Sequence, residues 1–167
     1  ESSAASDVYK RQILHCADLH MDSPMETHMT REQAAKRNAE ILMSFQRMTE
    51  YAEKEKVRVV LIAGDLFDGE RVTRRTVESV LDAMRCTPQI DYLYVSGNHD
   101  DQTNAFADQE IPENFKRFTD KWNTIEYGDV AVSGIEITKN NASTLYEQLP
   151  AQKSRVNIVM LHGQISS

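Results

Sequence analysis

Apolar residues fall along this chain in two textures. In the first they run almost without interruption. Residues 57–63 read Val-Arg-Val-Val-Leu-Ile-Ala, the pattern of a strand covered on both faces. Similar runs at 13–17, 90–95, 130–137 and 156–161 predict further strands. In the second texture apolar residues return at three- and four-residue steps. Leu42, Phe45, Met48 and Ala52 predict a helix over 30–56, with Thr30 as its N-cap. Val77, Val80, Leu81 and Met84 predict a second helix, capped by Thr73 or Thr76. Phe115, Phe118 and Trp122 predict a helix over 112–122, and a short one is expected at 142–149. Strands alternating with helices indicate an α/β architecture. Sites in such sheets collect where the strands end at their carboxyl side.

Composition narrows the class. With 40% apolar and 27% charged residues among 167, collagen-like and wholly disordered readings fall away. No apolar run approaches the roughly 18 residues of a membrane span, and no basic stretch followed by an apolar one marks a signal peptide. Cys16 and Cys86 are too few for a disulfide framework. A cytoplasmic protein without a membrane partner is expected. The net charge of −7 argues against holding nucleic acid by bulk charge alone, but not against a protein that recruits cations. Residues 2–12, SSAASDVYKRQ, are what a common transposase sequencing adapter encodes in one frame. Residues 1–12 are therefore expected to be a non-native, disordered segment and stand outside the fold reasoning.

The chemistry gathers at four strand ends. The first strand runs into Asp18-Leu19-His20, the second into Gly64-Asp65, the third into Gly97-Asn98-His99-Asp100, and the last into His162-Gly163. Oxygen and imidazole donors suit zinc, manganese or iron and do not make a soft thiolate site. Two such ions clamp the attacking and leaving oxygens of a phosphate ester. Gly64, Gly97 and Gly163 are expected to leave room for a phosphate.

In this order the motifs resemble those of the calcineurin-like metallophosphoesterases. The opening ILHCADLHMDSP is most similar to the SbcD-type DNA-repair exonuclease branch. The resemblance covers residues 13–167 and implies the N-terminal part of a four-layer α/β/β/α sandwich, incomplete at its C-terminus. It implies two divalent ions, usually Mn2+, with Zn2+, Fe2+ or Mg2+ as alternatives. Asp18 and His20 would hold the first, Asn98 and His162 the second, and Asp65 would bridge them. His99 would contact the scissile phosphate and protonate the leaving oxygen, oriented by Asp100. DNA is the implied substrate, an SMC-like ATPase the implied partner, and a homodimer a further expectation.

The family's closing Gly-His-x-His motif does not occur in these 167 residues. This polypeptide by itself is therefore expected to bind metal poorly and to be inactive. A phosphatase or small-molecule phosphodiesterase on the same scaffold remains open, as does a non-catalytic truncated domain. Other residues carry two readings each. Asp68 either supports the ligands or shapes the turn before Gly69. Arg71, Arg74 and Arg75 form a basic rim for DNA or a solvated helix start. Asp22 either lines the mouth of the site or belongs to a loop shaped by Pro24. His15 is expected as a hydrogen-bonded core residue, His28 as an exposed loop residue, and Cys16 as a packed small apolar group.

Overall fold

The computed structural model describes residues 12–25, 29–68, 72–100, 105–107 and 109–163. The expected segment 1–12 therefore lies outside the described residues except for Gln12, and so do His28, Gly69 and Arg71. Strand β1 (Ile13–Cys16) leads to helix α1 (Arg31–Lys54), strand β2 (Val59–Ala63), helix α2 (Arg74–Arg85) and strand β3 (Asp91–Val95). Strands β4 (Phe115–Arg117), β5 (Asn123–Tyr127), β6 (Val130–Gly134) and β7 (Val156–Met160) follow. The first four form one parallel sheet in the order β1-β2-β3-β4. The last three form a second sheet, β5-β6-β7, antiparallel then parallel.

The continuous apolar strands are explained by what covers them. Val60 and Ile62 of β2, with Tyr92 and Tyr94 of β3, face the helices and meet Phe45, Val77, Val80, Leu81 and Met84. The alternate residues Val59, Leu61, Leu93 and Val95 face the second sheet and meet Phe118, Val132 and Met160. Helices, first sheet and second sheet thus form three layers with two cores; a second helical layer is not among the described residues. A polar latch ties the sheets together. Asp91 Oδ2 accepts from Tyr127 Oη and Lys116 Nζ, each at 2.6 Å. Burial, with the Asp91 contact, pushes the Tyr127 phenol up, so it remains a donor.

The two main helices form where their stripes predict. Thr30 caps α1 by a capping box with Gln33. Thr73, rather than Thr76, caps α2, and its Oγ1 accepts from Thr76 N. The helix expected over 112–122 is not there; β4 pairs with β3 instead. A three-residue step keeps two side chains on one face of a helix but sends them to opposite faces of an extended chain. Phe115 accordingly packs with the helices and Phe118 between the sheets. The helix expected over 142–149 is a run of turns closed by three-residue steps, Thr144 N to Asn141 O and Glu147 N to Thr144 O. Asn141 and Thr144 turn their side chains onto local backbone, the usual way such residues compete with a helix. Strand β5 had no sequence signal strong enough to predict it. It joins β6 through a two-residue turn with Gly128 at φ 64°.

Candidate metal centre

Because β1, β2 and β3 run parallel, the loops that follow them emerge at one edge of the first sheet. These loops are sewn together by backbone. Asp18 N donates to Gly64 O at 3.1 Å, His20 N to Asp65 O at 2.9 Å, and Met21 N to Leu66 O at 3.1 Å. Asp68 N returns a bond to Met21 O at 3.0 Å, and Met21 and Phe67 are both buried beneath. Asp18, His20, Asp22 and Asp65 all have φ between 46° and 61°. Such left-handed excursions are uncommon outside glycine, and Asp and His are among the residues that tolerate them. At Asp18, His20 and Asp65 they bring side chains into one region, whereas Asp22 turns to the start of α2.

That region centres on Asp65, which is buried. Its Oδ2 lies 3.6 Å from His20 Nε2 and 3.3 Å from His162 Nε2. Its Oδ1 accepts from His99 N at 3.0 Å. His162 arrives from β7 in the other sheet, and its Nδ1 lies 3.0 Å from Ala63 O. A carbonyl only accepts, so Nδ1 carries the proton and Nε2 presents its lone pair beside Asp65. This is the orientation that a ligating imidazole needs. Asp18, Asp65 and His162 each bring a donor atom within 4.8 Å of the others, and so do His20, Asp68 and His99. These oxygen and imidazole donors fit a borderline divalent ion. Cys16 is not among them: it packs on the helix-side core, where burial pushes its thiol up to about 11. Asn98 is exposed and lines a cleft of about 150 Å³ that it shares with Ser96, Glu136 and His162.

The geometry redistributes two expected roles. The carboxylate within hydrogen-bond distance of the His99 ring is that of Asp68, 3.0 Å from Nδ1. Burial acts to raise the Asp68 pKa, but the Ser23 and His99 hydrogen bonds and the neighbouring imidazoles outweigh it, leaving a net lowering. Asp100, expected to orient His99, instead joins two loops from beneath. It accepts from Leu66 N at 3.1 Å, Phe67 N at 2.8 Å and Gly97 N at 2.9 Å. Burial first, then the Asp100 charge, push the nearby Tyr94 phenol upward. The room at the glycines also has another occupant. A Cβ on Gly64 would fall 2.0 Å from His162 Nδ1, and one on Gly97 would fall 2.0 Å from Asp65 Oδ1. At Gly64 and Gly97 the missing side chains make space for the candidate ligands themselves rather than for a phosphate, while a Cβ at Gly163 would meet Ile137 Cδ1 at 3.1 Å.

The remaining sequence candidates sit apart from this cluster. Asp22 Oδ2 accepts from Thr73 N at 2.8 Å, anchoring the start of α2. Arg74 pairs with Glu78 on the exposed first turn of α2, and Arg75 is exposed beside it. His15 is exposed on the edge strand β1 and is not a core residue. One neighbour was missed: Glu136, two residues beyond β6. It lies inside the run read as a strand over 130–137, so the strand-end rule passes over it, and no motif marks it.

Comparison with known proteins fits this geometry. The sequence model of the family described as calcineurin-like phosphoesterase matches residues 11–166. A DNA double-strand break repair protein Mre11 from Sulfurisphaera tokodaii is 26% identical over 163 residues, covering 92% of this chain and 41% of that protein. A metallophosphoesterase of Bacillus subtilis, YhaO, is 30% identical over 113 residues, covering 64% of this chain and 27% of that protein. A crystal structure of a Pseudomonas putida nuclease, MPE, is 17% identical, covers 73% of this chain and 53% of that one, and gives a TM-score of 0.43. The chain spans about two fifths or less of the length of the two curated relatives. The resemblance read from the strand-end motifs is confirmed: the chain belongs to the calcineurin-like phosphoesterase family.

Proposed function

We propose that this calcineurin-like phosphoesterase is the N-terminal part of a longer enzyme that hydrolyses phosphodiester bonds in DNA with two divalent metal ions. The observation that carries the reading is the position of Asp65. One buried carboxylate oxygen lies within 3.6 Å of imidazoles delivered by both sheets. Asp18 and His20 would hold one ion and Asn98 and His162 the other, with Asp65 shared. When bound, the ions supply positive charge that draws in and polarises a phosphate ester. They would also offset a chain whose net charge is −7, which otherwise repels DNA.

His99 is the proton-handling group in this reading. Asp68 at Nδ1 fixes the ring, which leaves Nε2 as the nitrogen that would serve a leaving oxygen. Asp100 acts on neither proton nor phosphate; it holds the loops that carry Asp65 and His99 in register. The DNA assignment draws support from the Mre11 relatives, named for double-strand break repair. Manganese as the working ion, an SMC-like ATPase partner, a homodimer and a cytoplasmic setting complete the proposal.

The test uses the full-length protein with labelled DNA in Mn2+. DNA cleavage is expected, abolished by EDTA and reduced at least about 100-fold by Asp65→Asn. Rapid hydrolysis of p-nitrophenyl phosphate with no DNA cleavage would overturn the assignment in favour of a phosphatase.

A further inference from the structure

Ser23 has no part in the chemistry above, yet its loop is fastened to α1, α2 and the loop after β2. Ser23 N donates to His20 O at 3.2 Å, closing a tight turn directly after that proposed ligand. Ser23 O accepts from Asn38 Nδ2 of α1 at 3.0 Å. Asn38 Oδ1 is buried and, among the described residues, takes no hydrogen bond. A buried amide oxygen without a donor weakens a fold. What Asn38 does in return is hold the Ser23 backbone. The neighbouring Asp22 Oδ2 accepts from Thr73 N at 2.8 Å, which pins the same turn from the other side.

The fixed turn sets the Ser23 hydroxyl against the Asp68 carboxylate, and the two form a hydrogen bond. A carboxylate only accepts, so the hydroxyl donates. Asp68 stands between two imidazoles. Its Oδ1 lies 3.0 Å from His99 Nδ1 and its Oδ2 lies 3.9 Å from His20 Nδ1. The two rings meet edge to face, with centroids 4.9 Å apart. Asp68 N donates to Met21 O at 3.0 Å, which fixes its backbone. Backbone alone does not settle how the carboxylate plane is turned, because that torsion is broad. A donor held on another loop does settle it. We propose that Ser23 is a positioning residue whose hydroxyl sets the rotation of the Asp68 carboxylate and thereby keeps the His99 ring in the tautomer with its proton on Nδ1. This rests on the reading given above, in which His99 handles the proton, and deepens it.

The experiment has two readouts on full-length protein. Turnover of labelled DNA is measured in Mn2+. Metal-free protein with 15N-labelled histidine is read at pH 8 by long-range nitrogen–proton NMR, with the His99 signals assigned by His99→Gln. The wild type should show His99 protonated at Nδ1. Ser23→Ala should lower kcat about fivefold, the rate equivalent of one net hydrogen bond, with KM and the number of bound Mn2+ ions unchanged. Its His99 nitrogen signals should move toward each other as the second tautomer fills. Ser23→Thr keeps the hydroxyl, and should keep the wild-type spectrum and stay within about twofold in kcat. On an Asp68→Asn background, Ser23→Ala should cost less than about twofold, because the two act as one unit. An unchanged kcat or an unchanged spectrum in Ser23→Ala overturns the proposal. So does an equal loss in Ser23→Thr, or the whole loss repeated on the Asp68→Asn background. If the wild type cleaves no DNA, the DNA reading fails, and the spectrum still decides whether Ser23 sets His99.

Discussion

Asp100 offers the sharpest separation between a catalytic and a structural reading of one motif residue. Its carboxylate collects three backbone N–H groups from two loops, at 3.1, 2.8 and 2.9 Å. Two of the donors belong to Leu66 and Phe67, both fully buried. Asp100→Ala leaves all three without that acceptor, at about 1–3 kcal/mol each for a donor that water does not reach. Allowing water to reach one of them, the loss is roughly 3–5 kcal/mol. That is a large share of the roughly 5–15 kcal/mol that holds a domain folded. It lowers the melting temperature by on the order of 10 °C for a domain of this size. Asp100→Asn keeps one oxygen, which can serve Phe67 or the Leu66–Gly97 pair but not both, so about half the loss is expected. Urea unfolding followed by the single tryptophan, Trp122, reads the difference. A loss below about 1 kcal/mol for Asp100→Ala would refute the structural role and return Asp100 to the catalytic one.

Other substitutions probe the same assembly. Asp68→Asn should lower kcat about 10- to 100-fold with little change in melting, because it removes the anion on His99 and leaves the core intact; unchanged kcat would reject the pairing. Gly97→Ala places a Cβ 2.0 Å from Asp65 Oδ1 and 2.4 Å from Asp65 N. It should cost about 1–3 kcal/mol or more by overpacking and displace the shared carboxylate, and calorimetry with Mn2+ should show weakened binding. Of the two cysteines, exposed Cys86 should react quickly with a disulfide reagent at pH 8. Cys16 is raised to about 11, so its reactive thiolate is scarce at that pH and grows only as pH approaches 11. One fast thiol and a second released by denaturant are expected; two fast thiols would contradict its burial.

Much of this site was readable because it depends on local order. Each motif follows a continuous apolar strand, and parallel pairing alone carries three of the loops to one edge. Where the sequence misled, the cause was an ambiguity of period or of partner. Phe115 and Phe118 satisfy a helical step yet serve opposite faces of an extended segment. Asp68 and Asp100 both stand near His99 in the motif logic, and only the folded loops show which carboxylate meets the ring. The glycines were read as phosphate room, since their spacing says that something approaches but not what. His15 was placed in the core because its strand is apolar, but β1 is an edge strand, and strand order is not written in a local pattern.

The central claim is that Asp65 is shared by two metal sites. Equilibrium dialysis of the full-length protein against Mn2+, with metal counted by mass spectrometry, tests it directly. The account predicts about two ions per chain in the wild type, about one in Asp18→Asn, and fewer than one in Asp65→Asn. Two ions retained by a folded Asp65→Asn protein would contradict it.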